Sequence, residues 1–122
     1  LKHAKPTRED AFLAREGLSA PELVDLLRLS QEEFSAKFKG SPIKRSKRRG
    51  LLRNVAVALG NVGGLPEVFA LVDALKDHEP LVRQHAAWAL GQINNCQAKD
   101  VLVHRLPIEE DSVVKAEIES AL

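Results

Sequence analysis

Six of the fourteen residues in the stretch SPIKRSKRRGLLRN (41–54) are Lys or Arg, and none is acidic. A cation cluster of this density suits phosphate: Arg forks match phosphate oxygens in pairs, and Lys adds a point charge. Neutralising several phosphates releases counterions, so binding of that kind weakens steeply with salt. The candidate phosphate-contacting positions are Lys44, Arg45, Lys47, Arg48, Arg49 and Arg53. The same run could instead be a solvated helix face, pair with acids brought near by folding, or meet an acidic protein or membrane surface. Six cations within ten positions repel one another, whereas a solubilising surface mixes its signs. The phosphate reading is therefore preferred.

The total charge of +1 conceals this polarity. Residues 1–33 carry a net −2, residues 34–66 a net +8 with no acid at all, and residues 67–122 a net −5. Other residues with chemical potential form no constellation. His3, His78, His85 and His104 have no metal-ligand spacing, and a hydrogen-bonded structural role is expected for His85 ahead of one facing a groove toward RNA or a missing domain. Trp88 reads as core or inter-repeat packing, and Cys96 as a small semi-buried residue. Glu109-Glu110-Asp111 places negative charge at the start of a helix, where the dipole favours it. Asn54 and Asn61 flank the basic run without an assigned role. No catalytic and no metal-binding residue is proposed.

These side chains must be positioned by a chain of 122 residues, enough for one core. Ala, Leu and Val dominate the apolar set, with four Phe, one Trp and no Tyr, which favours close-packed helices. No apolar run approaches the roughly 20 residues that cross a bilayer. A single cysteine excludes an internal disulfide and suits a reducing compartment. The chain has no Met and opens LKHAKPTRED, which suggests a piece of a longer protein. Residues 1–18 read as a lead-in from a preceding domain, and 19–122 as one helical domain.

Ser19 and Glu22 form a capping box, and Ser30 and Glu33 repeat it. Leu23, Leu26 and Leu27 share one face; Phe34 and Phe38, one turn apart, should both point inward, and Gly40 ends that helix. Ser41-Pro42 suits an N-cap followed by a first helical residue, so one continuous helix is expected to about Gly60. Leu51, Leu52, Val55, Leu59 and Val62 then make its core stripe, and Arg45, Arg49 and Arg53 a cationic stripe opposite. Further helices are expected at 65–75, 80–93, 97–106 and 112–122.

These helices repeat. Ala58-Leu59-Gly60 matches Ala89-Leu90-Gly91 at an offset of 31, and VVKAEIESAL (113–122) matches LVRQHAAWAL (81–90) at 32. Leu71, Val72 and Leu75 lie 31 before Leu102, Val103 and Leu106. A fixed period of this size indicates an all-α solenoid of helical hairpins, six to seven helices in all. There is no zinc-finger spacing, no leucine zipper and no aromatic RNP strand, and few aromatics are present to stack on bases. A row of helices that reads shape and backbone suits a folded RNA.

FKGSPIKRSKRRGLLRNVAVALGN (38–61), together with LVRQHAAWALGQI (81–93), resembles the C-terminal part of the epoxyqueuosine reductase family. The lead-in AKPTREDAFLAREGLSAPELVDLLRLSQEEF is similar to the segment that follows that family's ferredoxin-like region. The resemblance covers most of residues 4–93 and fades in the last repeat. It implies a right-handed solenoid of HEAT-like repeats of the PBS-lyase type. It implies a cytoplasmic parent oxidoreductase that completes queuosine at the tRNA wobble position with cobalamin and two 4Fe–4S clusters. Such clusters need sets of cysteine thiolates, and this chain has one Cys. The resemblance thus implies a non-catalytic domain that docks tRNA through Lys44, Arg45, Lys47, Arg48, Arg49 and Arg53, beside the catalytic and ferredoxin-like regions of the same chain. The rival expectation is a HEAT-like scaffold for proteins, or an interface with the catalytic domain.

Overall fold

The computed structural model describes residues 17–42 and 47–122, and the regular structure among them is helical. Seven helices occur among the described residues: α1 (Ala20–Leu27), α2 (Gln31–Lys37), α3 (Lys47–Val62), α4 (Leu65–Ala74), α5 (Pro80–Ile93), α6 (Cys96–Arg105) and α7 (Ser112–Ala121). The all-α repeat expected from the sequence is the fold observed. Helices α3, α5 and α7 pack successively side by side, α4 and α6 form a second row behind them, and α1 covers α3 and α4.

Both capping boxes are present. Ser19 and Ser30 accept the N–H of Glu22 and Glu33, while each Glu carboxylate accepts the N–H of its serine at 2.9 Å. Phe34 and Phe38 are buried, with ring centroids 5.1 Å apart. Leu51, Leu52, Val55 and Leu59 are sealed in the core with Val82, Leu90, Leu102 and Ile118. Val62, expected in the same stripe, is 54% exposed. It is the last residue of α3, and Gly63 (φ 72°) turns the chain away before a neighbour can cover it.

The repeat is written into the closest contacts of the row. A Cβ on Gly60 would stand 2.9 Å from the Cα and Cβ of Ala89, and one on Gly91 would stand 2.7 Å from the Cβ of Ala121. The offsets found in the sequence thus relate two copies of one contact, a glycine of one repeat seated on an alanine of the next. Only hydrogen at the first position allows the backbones so close.

The expected continuous helix from Ser41-Pro42 is not formed. The N–H of Ser41 closes a turn onto the carbonyl of Phe38 at 2.9 Å. Helix α3 starts at Lys47, whose φ of 67° lies in the left-handed region and cannot be passed by a right-handed helix. Of the expected stripe, Arg49 and Arg53 lie on α3, while Lys44 and Arg45 lie outside the described residues. So does most of the expected 1–18 lead-in; the described residues begin just before the Ser19 cap.

Candidate nucleic-acid interface

Helix α3 emerges where three segments meet: the α1–α2 junction, the α4–α5 loop and the basic run. The four candidate cations within the described residues behave differently there. Lys47, at the first position of α3, is exposed. The Arg49 side chain is 49% exposed, with Nη1 3.9 Å from Oε1 of Glu79. Arg53 is half-buried and donates from Nε to Oδ1 of Asn54 at 3.2 Å, and Asn54 itself is buried.

Arg48 is different in kind. Its side chain is only 7% exposed. Nε donates to the carbonyl of Leu29 at 2.7 Å, Nη1 donates to Oδ2 of Asp77 at 3.1 Å, and Nη2 closes the fork onto Asp77 Oδ1. A guanidinium held this way does not present its charge to solvent, so Arg48 leaves the candidate set. The reason is long-range: its carboxylate lies 29 residues downstream, beyond any local window. Burial pushes the Asp77 carboxyl up. The hydrogen bonds from Arg48 and from the N–H of Glu79, with the charges of Arg48 and His78, bring it below its ordinary value.

A buried carboxylate that accepts from arginine recurs one repeat later. Glu109, only 2% exposed, accepts from Arg83 (Nε 3.0 Å, Nη2 3.0 Å), from Arg105 (Nη2 3.1 Å) and from the N–H of Asp111 (3.0 Å). Burial raises its carboxyl, and these bonds, led by Arg83, outweigh the burial and lower it. Arg83 also donates to the backbone carbonyl of Asp77 at 2.8 Å, which links the two sites. Asp77 and Glu109 stand 32 residues apart and each accepts the N–H two residues on. That shared offset is the signal by which the pairing could have been found. The acidic run 109–111 therefore divides: Glu109 is a buried ion-pair centre, and Asp111 caps α7 by accepting from Val113 and Val114.

The remaining residues singled out in the sequence have structural settings. His85 Nδ1 lies 2.9 Å from the carbonyl of Leu81, and Trp88 packs against the core beside Gly60. Cys96 is exposed, not semi-buried, because α6 begins at this residue rather than after it. Among the described residues no group of three or more His, Cys, Asp and Glu is placed to hold a metal ion. No helix among them is long and apolar enough to cross a membrane.

Comparison with known proteins matches residues 43–122 to the model for HEAT repeats. Epoxyqueuosine reductase of Shigella dysenteriae serotype 1 (strain Sd197) is 40% identical over 91 residues, covering 75% of this chain and 24% of that protein. The Xanthomonas campestris pv. campestris protein of the same name is 41% identical over 92 residues, covering 75% and 26%. The chain thus spans about a quarter of the length of these relatives. A crystal structure of epoxyqueuosine reductase with a tRNA-Tyr epoxyqueuosine-modified tRNA stem loop superimposes with a TM-score of 0.76 at 31% identity. It covers 82% of this chain and 27% of that one.

Proposed function

The chain belongs to the HEAT repeat family, and on that premise we propose that it is the tRNA-docking region of an epoxyqueuosine reductase. The observation that carries the reading is the shared fold with a reductase crystallised with a tRNA stem loop. The exposed cations Lys47 and Arg49, with half-buried Arg53, are the described residues that would meet the phosphates. Lys44 and Arg45 join them from the adjoining basic run. Arg48 serves indirectly, by tying the first turn of α3 to Leu29 and Asp77.

The reduction itself belongs to regions outside this chain. A 4Fe–4S cluster is held by a set of thiolates, and one exposed thiol at the start of α6 does not supply it. In this reading the parent is a cytoplasmic oxidoreductase, and the chain works beside its catalytic and ferredoxin-like regions. A second reading, a surface for protein, draws on Phe69, Val103, Ile108 and Val113, each more than half exposed.

The test is tRNA binding by the full 122-residue chain across a salt titration, beside a Lys47→Glu/Arg49→Glu/Arg53→Glu variant. The expected result is a steep salt dependence, with a slope that falls by about one for each phosphate contact removed. An unchanged affinity in a variant that remains helical would move the basic run to an interface with protein.

A further inference from the structure

A cavity of about 270 Å³ opens between α2 and the first turn of α3, lined by Gln31, Phe34, Lys47, Arg48, Arg49 and Glu79. Phe34 is a buried wall, and Arg48 is committed to Asp77 and Leu29. Among the described residues that line this cavity, the cations with exposed side chains are Lys47 and Arg49, and the carboxylate is Glu79.

Glu79 is held in an unusual way. It is the N-cap residue of α5, yet its side chain makes no capping hydrogen bond. Its backbone N–H is fixed by Oδ2 of Asp77 at 3.0 Å. Its carboxylate lies between two basic side chains, with Oε1 3.9 Å from Nη1 of Arg49 and Oε2 3.9 Å from Nε2 of His78. At that distance the Arg49 contact is attraction without a hydrogen bond. The guanidinium fork can therefore be taken over by a better bidentate acceptor, and His78, 70% exposed, stands by the carboxylate that would be displaced.

We propose that this cavity takes one backbone phosphate of the bound RNA, and that Glu79 is the internal competitor that holds Arg49 until the phosphate displaces it. The proposal rests on the tRNA-docking reading and adds to it a defined seat and a carboxylate that opposes binding. Gln31 of α2 lines the seat while its amide donates to Ser35 at 3.2 Å, so the cations available to the phosphate are Lys47 and Arg49.

The experiment is a double-mutant cycle on the full chain, read by tRNA affinity at low salt. Glu79→Gln should tighten binding about three- to fivefold, the upper range for one exposed ion pair. Arg49→Gln should weaken binding. In the Arg49→Gln background, Glu79→Gln should have almost no effect. If the Glu79→Gln gain persists there, the carboxylate acts only through the general field, and the proposal is overturned. No gain from Glu79→Gln in the wild-type background overturns it too. Wild-type chain that fails to bind tRNA at any salt overturns the docking reading and this proposal together.

Discussion

Replacing Glu109 by Ala should cost far more than replacing an exposed cation of the basic run such as Lys47 or Arg49. The carboxylate is shared by Arg83 and Arg105, whose side chains are 13% and 21% exposed, and by the N–H of Asp111. Its removal strands two guanidinium groups in a site with little water. Breaking a buried pair from one side costs about 3–5 kcal/mol. Partial access of solvent to Arg105 reduces that figure, and the orphaned N–H ahead of α7 adds about 1 kcal/mol. A net loss near 3 kcal/mol is expected, a large share of the roughly 5–15 kcal/mol that holds a domain together. For a chain of this size that is a fall of about 10–15 °C in Tm. Glu109→Gln, which keeps the volume and one acceptor oxygen, should lose about half as much. The sign of the pH dependence follows from the lowered carboxyl. A group depressed in the folded state stabilises fully above its unfolded value, about 4.3, and that stability fades as pH falls through the folded value. The wild type and Glu109→Gln should therefore differ most at neutral pH and converge as pH falls through the lowered folded-state value. Thermal melts followed by circular dichroism at pH 7, 5 and 3.5 measure this. A cost under about 1 kcal/mol at pH 7, or a gap that ignores pH, would refute the reasoning.

Neighbouring arginines should separate sharply in urea unfolding: Arg48→Ala should cost about 3 kcal/mol by leaving Asp77 unpaired, and Arg49→Ala under about 0.5. Gly60→Ala should be destabilising by about 1–2 kcal/mol despite the better helix former, since the added methyl meets the Ala89 backbone; Ala89→Gly should recover part of the loss in the same background. Ser30→Ala should remove about 1 kcal/mol through the lost cap, measured by the same unfolding curves. Cys96, exposed at the start of α6, should react with a thiol reagent in the native state at the rate of an unfolded control.

Much of this structure is local, and what is local was legible. Ser19 with Glu22 and Ser30 with Glu33 act within one turn, so three residues suffice to see each cap. Leu51, Leu52, Val55 and Leu59 follow a helical period that needs no partner to be recognised. Val62 shows where extrapolation stops, because a stripe continues on paper past the point where the helix and its cover end. Arg48 was legible as a cation but not as a buried one: the residue that decides its fate is Asp77, on another hairpin. Glu109 was hidden by its company, for a carboxylate beside two other acids looks solvated until Arg83 and Arg105 converge on it. The period of the repeat held part of the information, since the two carboxylates recur with it as the apolar residues do, while their arginine partners do not.

The glycine–alanine seats also determine how the protein responds to force. Gly60 on Ala89 and Gly91 on Ala121 are hard stops, each with no slack for a methyl group. Helices that meet at hard stops transmit a tilt instead of absorbing it, so a small rotation at one seat adds to the next along the row. The spacing between cations on one hairpin and any contact on another is then set by buried atoms that touch neither. A methyl group placed at Gly60 would act as a shim in a hinge stack, and it should change the span of the surface without altering a single charge on it.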